Sequence, residues 1–178
     1  MYMKYLTSVI LLFYSLSIFS QSDKISYVLR HNEKSKCVRL GYGRTSKSEL
    51  VYTGFSYFFT KKFYLESDLQ FEKGEINITK INSYSLKLNS NYSIYNFDKK
   101  SYLNLNAGVV GGFERLKNEP LKVDESKFVY AFLIGINNET YIAKNLCLSL
   151  GINQNYILKS NLRSFYINGE LGIKYFIK

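Results

Sequence analysis

From residue 36 onward the chain alternates between apolar side chains and polar or small ones. The last stretch is the clearest case. Phe165, Ile167, Gly169, Leu171, Ile173, Tyr175 and Ile177 fall on one parity and carry no charge. Ser164, Tyr166, Asn168, Glu170, Gly172, Lys174 and Phe176 fall on the other, which is polar with small gaps. A period of two sends successive side chains to opposite faces of a β-strand. The same alternation recurs upstream, with apolar sets at Val38–Leu40–Tyr42, Val51–Phe55–Tyr57–Phe59, Phe63–Leu65–Leu69–Phe71 and Tyr84–Leu86–Leu88–Tyr92–Ile94. It continues at Leu103–Leu105–Ala107–Val109–Phe113, Phe128–Tyr130–Phe132–Ile134–Ile136 and Leu146–Leu148–Leu150–Ile152–Tyr156, so the pattern predicts eight strands.

The connections fall into two classes. "TKK" after Phe59, "FDKK" after Asn96 and "AKN" after Ile142 are tight. "EKGEINITKINS" and "ERLKNEPLKVDESK" read as long loops, and "TSKS" and "KSNLR" lie on their side. Tight turns on one rim and longer loops on the other are the pattern of a transmembrane β-barrel.

A secreted β-sandwich or a lipocalin-like barrel also alternates, with its apolar face inward. Two features decide against that arrangement. Several runs exceed the roughly 5–6 residues usual in soluble sheets and suit the roughly 9–11 that cross a bilayer at a tilt. The polar face also carries Arg39, Glu66, Asp68, Glu72, Lys87, Glu114, Glu170 and Lys174. An eight-stranded barrel has an interior just wide enough for side chains, where such charges pair across the lumen. The expected fold is therefore all-β: an eight-stranded antiparallel up-and-down transmembrane β-barrel over residues 36–178. Its expected place is the outer membrane of a Gram-negative bacterium, in contact with lipid and lipopolysaccharide.

The N-terminus departs from this pattern. Residues 1–20 carry Lys4 ahead of an apolar run to Phe19, with small residues at Ser17 and Ser20. This is the form of a cleaved signal peptide, cut between Ser20 and Gln21. The run is shorter than the roughly 20 residues of a spanning helix. Residues 21–35 have no clean period and read as an N-terminal periplasmic arm. At the other end, "ELGIKYFI" has the form polar, x, Gly, x, x, aromatic, x, apolar, set by Glu170, Gly172, Tyr175 and Ile177. That is the form of the C-terminal signal by which barrel insertion machinery pairs with a last strand.

Composition sharpens this reading. Tyr (17) and Phe (13) are abundant, Pro occurs once and Trp is absent, a bias toward strands and away from disorder. The net charge of +10 raises the question of nucleic acid. The basic residues are dispersed (Arg44 and Lys47, Lys61 and Lys62, Lys99 and Lys100, Lys117, Lys122, Lys159, Arg163), without a basic stripe interleaved with stacking aromatics. Rims touching anionic head groups account for them, and no direct nucleic-acid binding is expected.

With the strands laid out, the chain resembles the TraO conjugal transfer proteins of Bacteroidetes conjugative transposons. The resemblance rests on "VRLGYG" (Val38–Gly43), "LNLNAGVVGGFE" (Leu103–Glu114), "KFVYAFLIGINNETYIAKNLCLSLGINQNYI" (Lys127–Ile157) and "GELGIKYFI" (Gly169–Ile177). It departs at Gly112-Phe113-Glu114, where the family has a Tyr form, in the loop "NEPLKVDE", and at several Trp positions. The resemblance implies a structural role in a conjugative DNA transfer apparatus, with other proteins of that apparatus as partners. The other reading is a small adhesion or structural barrel that binds a surface ligand through its loops.

Candidate chemistry is sparse. The single histidine, His31, lies in the arm, which leaves the strands without a triad or histidine-metal site. Glu66 and Asp68 share a face and have the residue types of an acid–base pair, but an ion-pair cluster with Arg39, Lys87 and Lys174 explains them better. The chain is expected to be no enzyme and to need no cofactor or metal. Cys37 and Cys147 begin strands one and seven, with strand eight between them in a closed order. Two strand spacings separate their backbones by roughly 9–10 Å. A disulfide needs Cα atoms within about 7 Å, so two free inward thiols are expected.

Overall fold

The computed structural model describes residues 31–76, 78–97, 100–118, 123–158 and 164–177. The expected signal peptide (residues 1–20) and residues 21–30 of the expected arm lie outside the described residues, as does the "KSNLR" connection. Eight strands follow one another: β1 (Lys36–Arg44), β2 (Ser48–Phe58), β3 (Phe63–Ile76), β4 (Thr79–Phe97), β5 (Ser101–Asn118), β6 (Val123–Tyr141), β7 (Leu146–Ile157) and β8 (Phe165–Ile177). Each pairs antiparallel with its neighbour in sequence, and β8 closes the barrel on β1, with Arg39 opposite Lys174 and Arg44 opposite Gly169. Closure leaves no sheet edge along the wall, the condition for β-structure in lipid.

The faces follow the alternation. Leu40, Leu69 and Ile134 point outward and are 67, 64 and 63% exposed, while Arg39, Asp68 and Lys87 point inward and are buried. The outer wall is bounded by aromatic rings at two levels. Tyr57, Phe59, Phe63, Tyr95, Phe97 and Tyr175 lie toward the rim of tight turns, and Phe71, Tyr84, Phe113, Phe128, Tyr156 and Phe165 lie toward the other rim. Neighbouring rings pack together: Tyr95 and Phe97 at 4.4 Å, Phe71 and Tyr84 at 4.9 Å, Phe113 and Phe128 at 5.4 Å. Two aromatic girdles flanking an apolar band mark the two interfaces of a bilayer. Beyond the second girdle the outward positions turn charged, with Lys73, Arg115, Lys117 and Asp124 exposed.

Two local features modify the simple alternation. The register of β4 against β5 shifts between Ser93 and Tyr95, so Ile94 and Tyr95 both face outward. This β-bulge sits at the periplasmic rim, where bulges are common. The second feature corrects the expected long loops. "EKGEINITKINS" is mostly strand, with β3 and β4 paired as far as Ile76 and Thr79. The connection "ERLKNEPLKVDESK" likewise continues β5 and β6 to the pair Asn118–Val123. Above the bilayer both faces of a hairpin meet water, so the apolar–polar alternation fades while backbone pairing continues.

Candidate functional site

The lumen is filled in layers, and the sequence shows why. An eight-stranded barrel leaves room for one set of inward side chains, which must be complementary in size and charge. At the end with the tight turns, Cys37, Phe58, Tyr64, Tyr102, Tyr141, Cys147 and Phe176 form a buried cluster. Both cysteines are buried free thiols.

His31 completes this floor. The segment before β1 turns back at Lys34, whose φ is 62°, and is tied to β2 by Lys34 N–H donating to Phe58 O at 2.8 Å. His31 enters the barrel, 3% exposed, and stacks on Tyr102 at 3.9 Å. Both ring nitrogens are engaged, Nε2 with Glu139 Oε2 at 2.8 Å and Nδ1 with Ser93 Oγ at 3.2 Å. The arm reading placed His31 off the barrel; the structure places it inside.

Above the floor three cations meet four carboxylates. Arg39 reaches Glu66 at 2.6 Å, Asp68 at 3.4 Å and Glu170 at 3.7 Å. Lys87 lies 3.2 Å from Asp68 and 3.0 Å from Glu170. Lys174 pairs with Glu66 and, at 2.5 Å, with Glu139, which also accepts from the Tyr64 hydroxyl. The ring of Tyr52 lies under Arg39 and Lys87, whose charges sit 4.6 and 5.2 Å from its centroid. This is a cation–π contact among buried side chains. Glycines make room for it: a Cβ at Gly41 or Gly172 would strike the Tyr52 side chain, and one at Gly54 would strike Asp68. On the β4–β8 side asparagines bond to one another, Asn104 to Asn137 at 2.7 Å and Asn155 to Asn168 at 2.6 Å.

Of the eight charged lumen residues read from the sequence, Arg39, Glu66, Asp68, Lys87, Glu170 and Lys174 gather in one network. Glu72 and Glu114 do not join it. They line the outer mouth, where Glu72 accepts from Ser48 Oγ at 2.5 Å and Glu114 lies opposite Lys127 in the ladder. Glu139 was missed, although it is the next inward position after Asn137. His31 had no signal at all, because its neighbours come from β2, β3, β5 and β6. The residues of the terminal motif split by parity: Glu170 and Gly172 face inward, Tyr175 and Ile177 outward.

The chemistry open to this lumen is electrostatic. Each carboxylate of the central network lies within 4 Å of a lysine or arginine, the arrangement of a buried ion-pair network. Among the described residues no group of three or more His, Cys, Asp or Glu side chains is arranged to hold a metal ion.

No family model matches the chain, and no curated protein matches it. Solved structures do. The N-terminal β-barrel domain of Pseudomonas aeruginosa OprF matches with a TM-score of 0.63 at 14% identity, over 82% of this chain and 98% of that one. Neisserial surface protein A matches with a TM-score of 0.57 at 13% identity, over 79 and 94%. Ail, the attachment invasion locus protein of Yersinia pestis, matches at 0.55 and 14%, over 82 and 99%. The likeness is one of fold. By that fold, and by an apolar outer wall around a charged lumen, the chain is an eight-stranded outer-membrane β-barrel.

Proposed function

We propose that the protein acts through its surface, as a structural and interaction component of the outer membrane, within a conjugative DNA transfer apparatus. The observation that carries the surface role is the filled lumen. Residues from His31 to Glu170 occupy the interior with ion pairs, stacked rings and amide bonds, and a packed eight-stranded barrel offers strands and rims rather than a channel. DNA passage through it is sterically excluded. The assignment to conjugation rests on the sequence resemblance of Val38–Gly43, Leu103–Glu114, Lys127–Ile157 and Gly169–Ile177. The barrel would anchor periplasmic partners of the apparatus at its tight-turn rim. The terminal motif of Glu170, Gly172, Tyr175 and Ile177 would present β8 to the insertion machinery.

A second reading is favoured by the tall β3–β4 and β5–β6 hairpins, which rise beyond the outer girdle and carry exposed charge. In that reading the barrel is a surface-binding protein, as Ail is by its name of attachment invasion locus protein. Two strains separate the readings: a donor lacking the gene, and one whose β5–β6 hairpin is cut back to the girdle. Loss of DNA transfer in the first, with adhesion intact in both, supports the conjugative role. Unchanged transfer with lost adhesion in the second overturns it in favour of surface binding.

A further inference from the structure

The wall is closed through the bilayer but not above it. β6 has 19 residues and β7 has 12, so β6 stands taller than the strand beside it. The two pair from Tyr141 and Cys147 up to Ala131 and Ile157, and Leu158 N–H donates to Tyr130 C=O at 3.0 Å. Above that point Asp124–Val129 is bonded to β5 alone among the described residues. The far side of the tall sheet differs: β3 stays covered, with Glu75 N–H donating to Lys47 C=O at 3.0 Å in the β1–β2 turn. Tyr130 turns its carbonyl toward β7, so alternation turns the N–H and C=O of Asp124, Ser126 and Phe128 to the same open side.

A free edge is a template for another strand, and proteins commonly blunt it with a proline or a bulge. This one has neither: its register with β5 is unbroken, and no proline lies within it. Asp124 is already paired with Arg115 at 2.6 Å.

The chain cannot cover this edge itself. Residues 159–163 join Leu158 to Ser164, and Ile157 N–H donates to Ser164 C=O at 2.9 Å, so that connection starts and ends at the foot of the edge. A connection of that length rises roughly 10 Å before it must return, short of the roughly 14 Å from Tyr130 to Ser126. A second copy does not fit either. Two copies in one membrane hold β6 in the same direction, and the two-fold axis between them sets each N–H against its own counterpart.

We propose that Asp124–Val129 takes an extended segment of another protein, outside the cell, as an added antiparallel strand with a basic side chain beside Glu125 and an aromatic one beside Phe128. The proposal rests on the surface-binding reading and gives the form of the partner. Main-chain bonds supply the affinity in such strand addition, and alternate side chains choose the segment. Glu125 is exposed on the mouth side, and Phe128 is 53% exposed on the outer side. Opposite charges and paired rings across an antiparallel ladder both stabilise it.

The test uses the full barrel in lipid nanodiscs and a capped synthetic peptide, Val-Tyr-Thr-Thr-Lys-Thr, laid antiparallel from Val129 to Asp124. Binding is expected to slow amide exchange at Asp124, Ser126 and Phe128. N-methylation of the second, fourth and sixth peptide residues removes the donors that face β6 and should weaken binding roughly tenfold or more, whereas methylation of the third and fifth should not. Ser126→Pro removes a donor on the open side only, leaving the bonds to β5, and should weaken binding roughly tenfold. Glu125→Lys should shift preference to the same peptide with glutamate in place of lysine. Absence of binding by the unmodified peptide overturns the proposal, as does indifference to the position of methylation. A Ser126 amide protected before peptide is added also overturns it, assigning the edge to residues 159–163. Should Ser126→Pro fail to insert, the methylated peptides decide on the unchanged protein. Adhesion lost on trimming the β5–β6 hairpin, without peptide binding, leaves the surface-binding reading standing and strand addition overturned.

Discussion

Lys174 on β8 reaches past β7 to Glu139 on β6, Nζ to Oε1, at 2.5 Å. The same ammonium also holds Glu66 on β3, so one side chain ties three strands across the lumen. Removing the cation of such a buried group strands the charge left behind. Lys174→Met leaves Glu139 with no lysine or arginine partner among the described residues and should therefore destabilise the barrel by about 3–5 kcal/mol, read as a lower urea midpoint for unfolding from lipid vesicles. The exposed pair of Arg115 and Asp124 is the contrast, although its bond is as short at 2.6 Å. Asp124→Ala should leave the midpoint unchanged, because water screens that pair.

The outward parity has its own cost pattern. Leu69→Arg and Leu171→Arg place a charge against hydrocarbon and should each cost roughly 2–4 kcal/mol in lipid, less with distance from the bilayer centre. Ser149, buried beside Gly172, faces inward, so Ser149→Arg should fail by lack of room instead. Its defect should persist in detergents of any chain length, whereas the leucine variants should recover in short-chain detergent. Tolerance of Arg at Leu69 in thick bilayers would invert the assignment of faces.

The packing of Tyr52 over Gly172 predicts a rescue. Gly172→Val should lower the folded, heat-modifiable fraction on gels, since the new Cβ strikes the Tyr52 hydroxyl. The other atoms near that Cβ lie at 3.3 and 3.4 Å, close enough to crowd but not to clash. Adding Tyr52→Ala should therefore restore folding of Gly172→Val, although Tyr52→Ala alone should destabilise. Failure of the pair to recover would mean that Gly172 is needed for the insertion step rather than for packing.

The floor of the barrel makes Cys37 and Cys147 reporters. Alkylation without reductant should label neither thiol in the folded barrel and both after unfolding, with no mass deficit of two hydrogens. His31→Ala removes the ring stacked on Tyr102 and the bond to Glu139, so labelling of the folded protein should accelerate. Equal labelling rates would show that His31 does not seal the floor.

What could be read in advance follows from the period of two. Parity is a local property, so the sequence alone determined the strands, the lipid face and the inward set from Arg39 to Lys174. It also determined that strand eight would separate the two cysteines. Only the tertiary structure decided which charges meet, because closure and stagger set the neighbours across a lumen. Thus Arg39 finds Glu66, Lys87 finds Glu170, and Glu72 and Glu114 are left at the mouth. Glu139 is within reach of parity but lies past Ile136, the last apolar member of its alternating set. The tall hairpins were hidden because water on both faces erases the alternation while leaving the ladder intact. His31 was beyond any local rule: its place depends on a turn at Lys34 and on a cavity that exists only once four strands have closed around it.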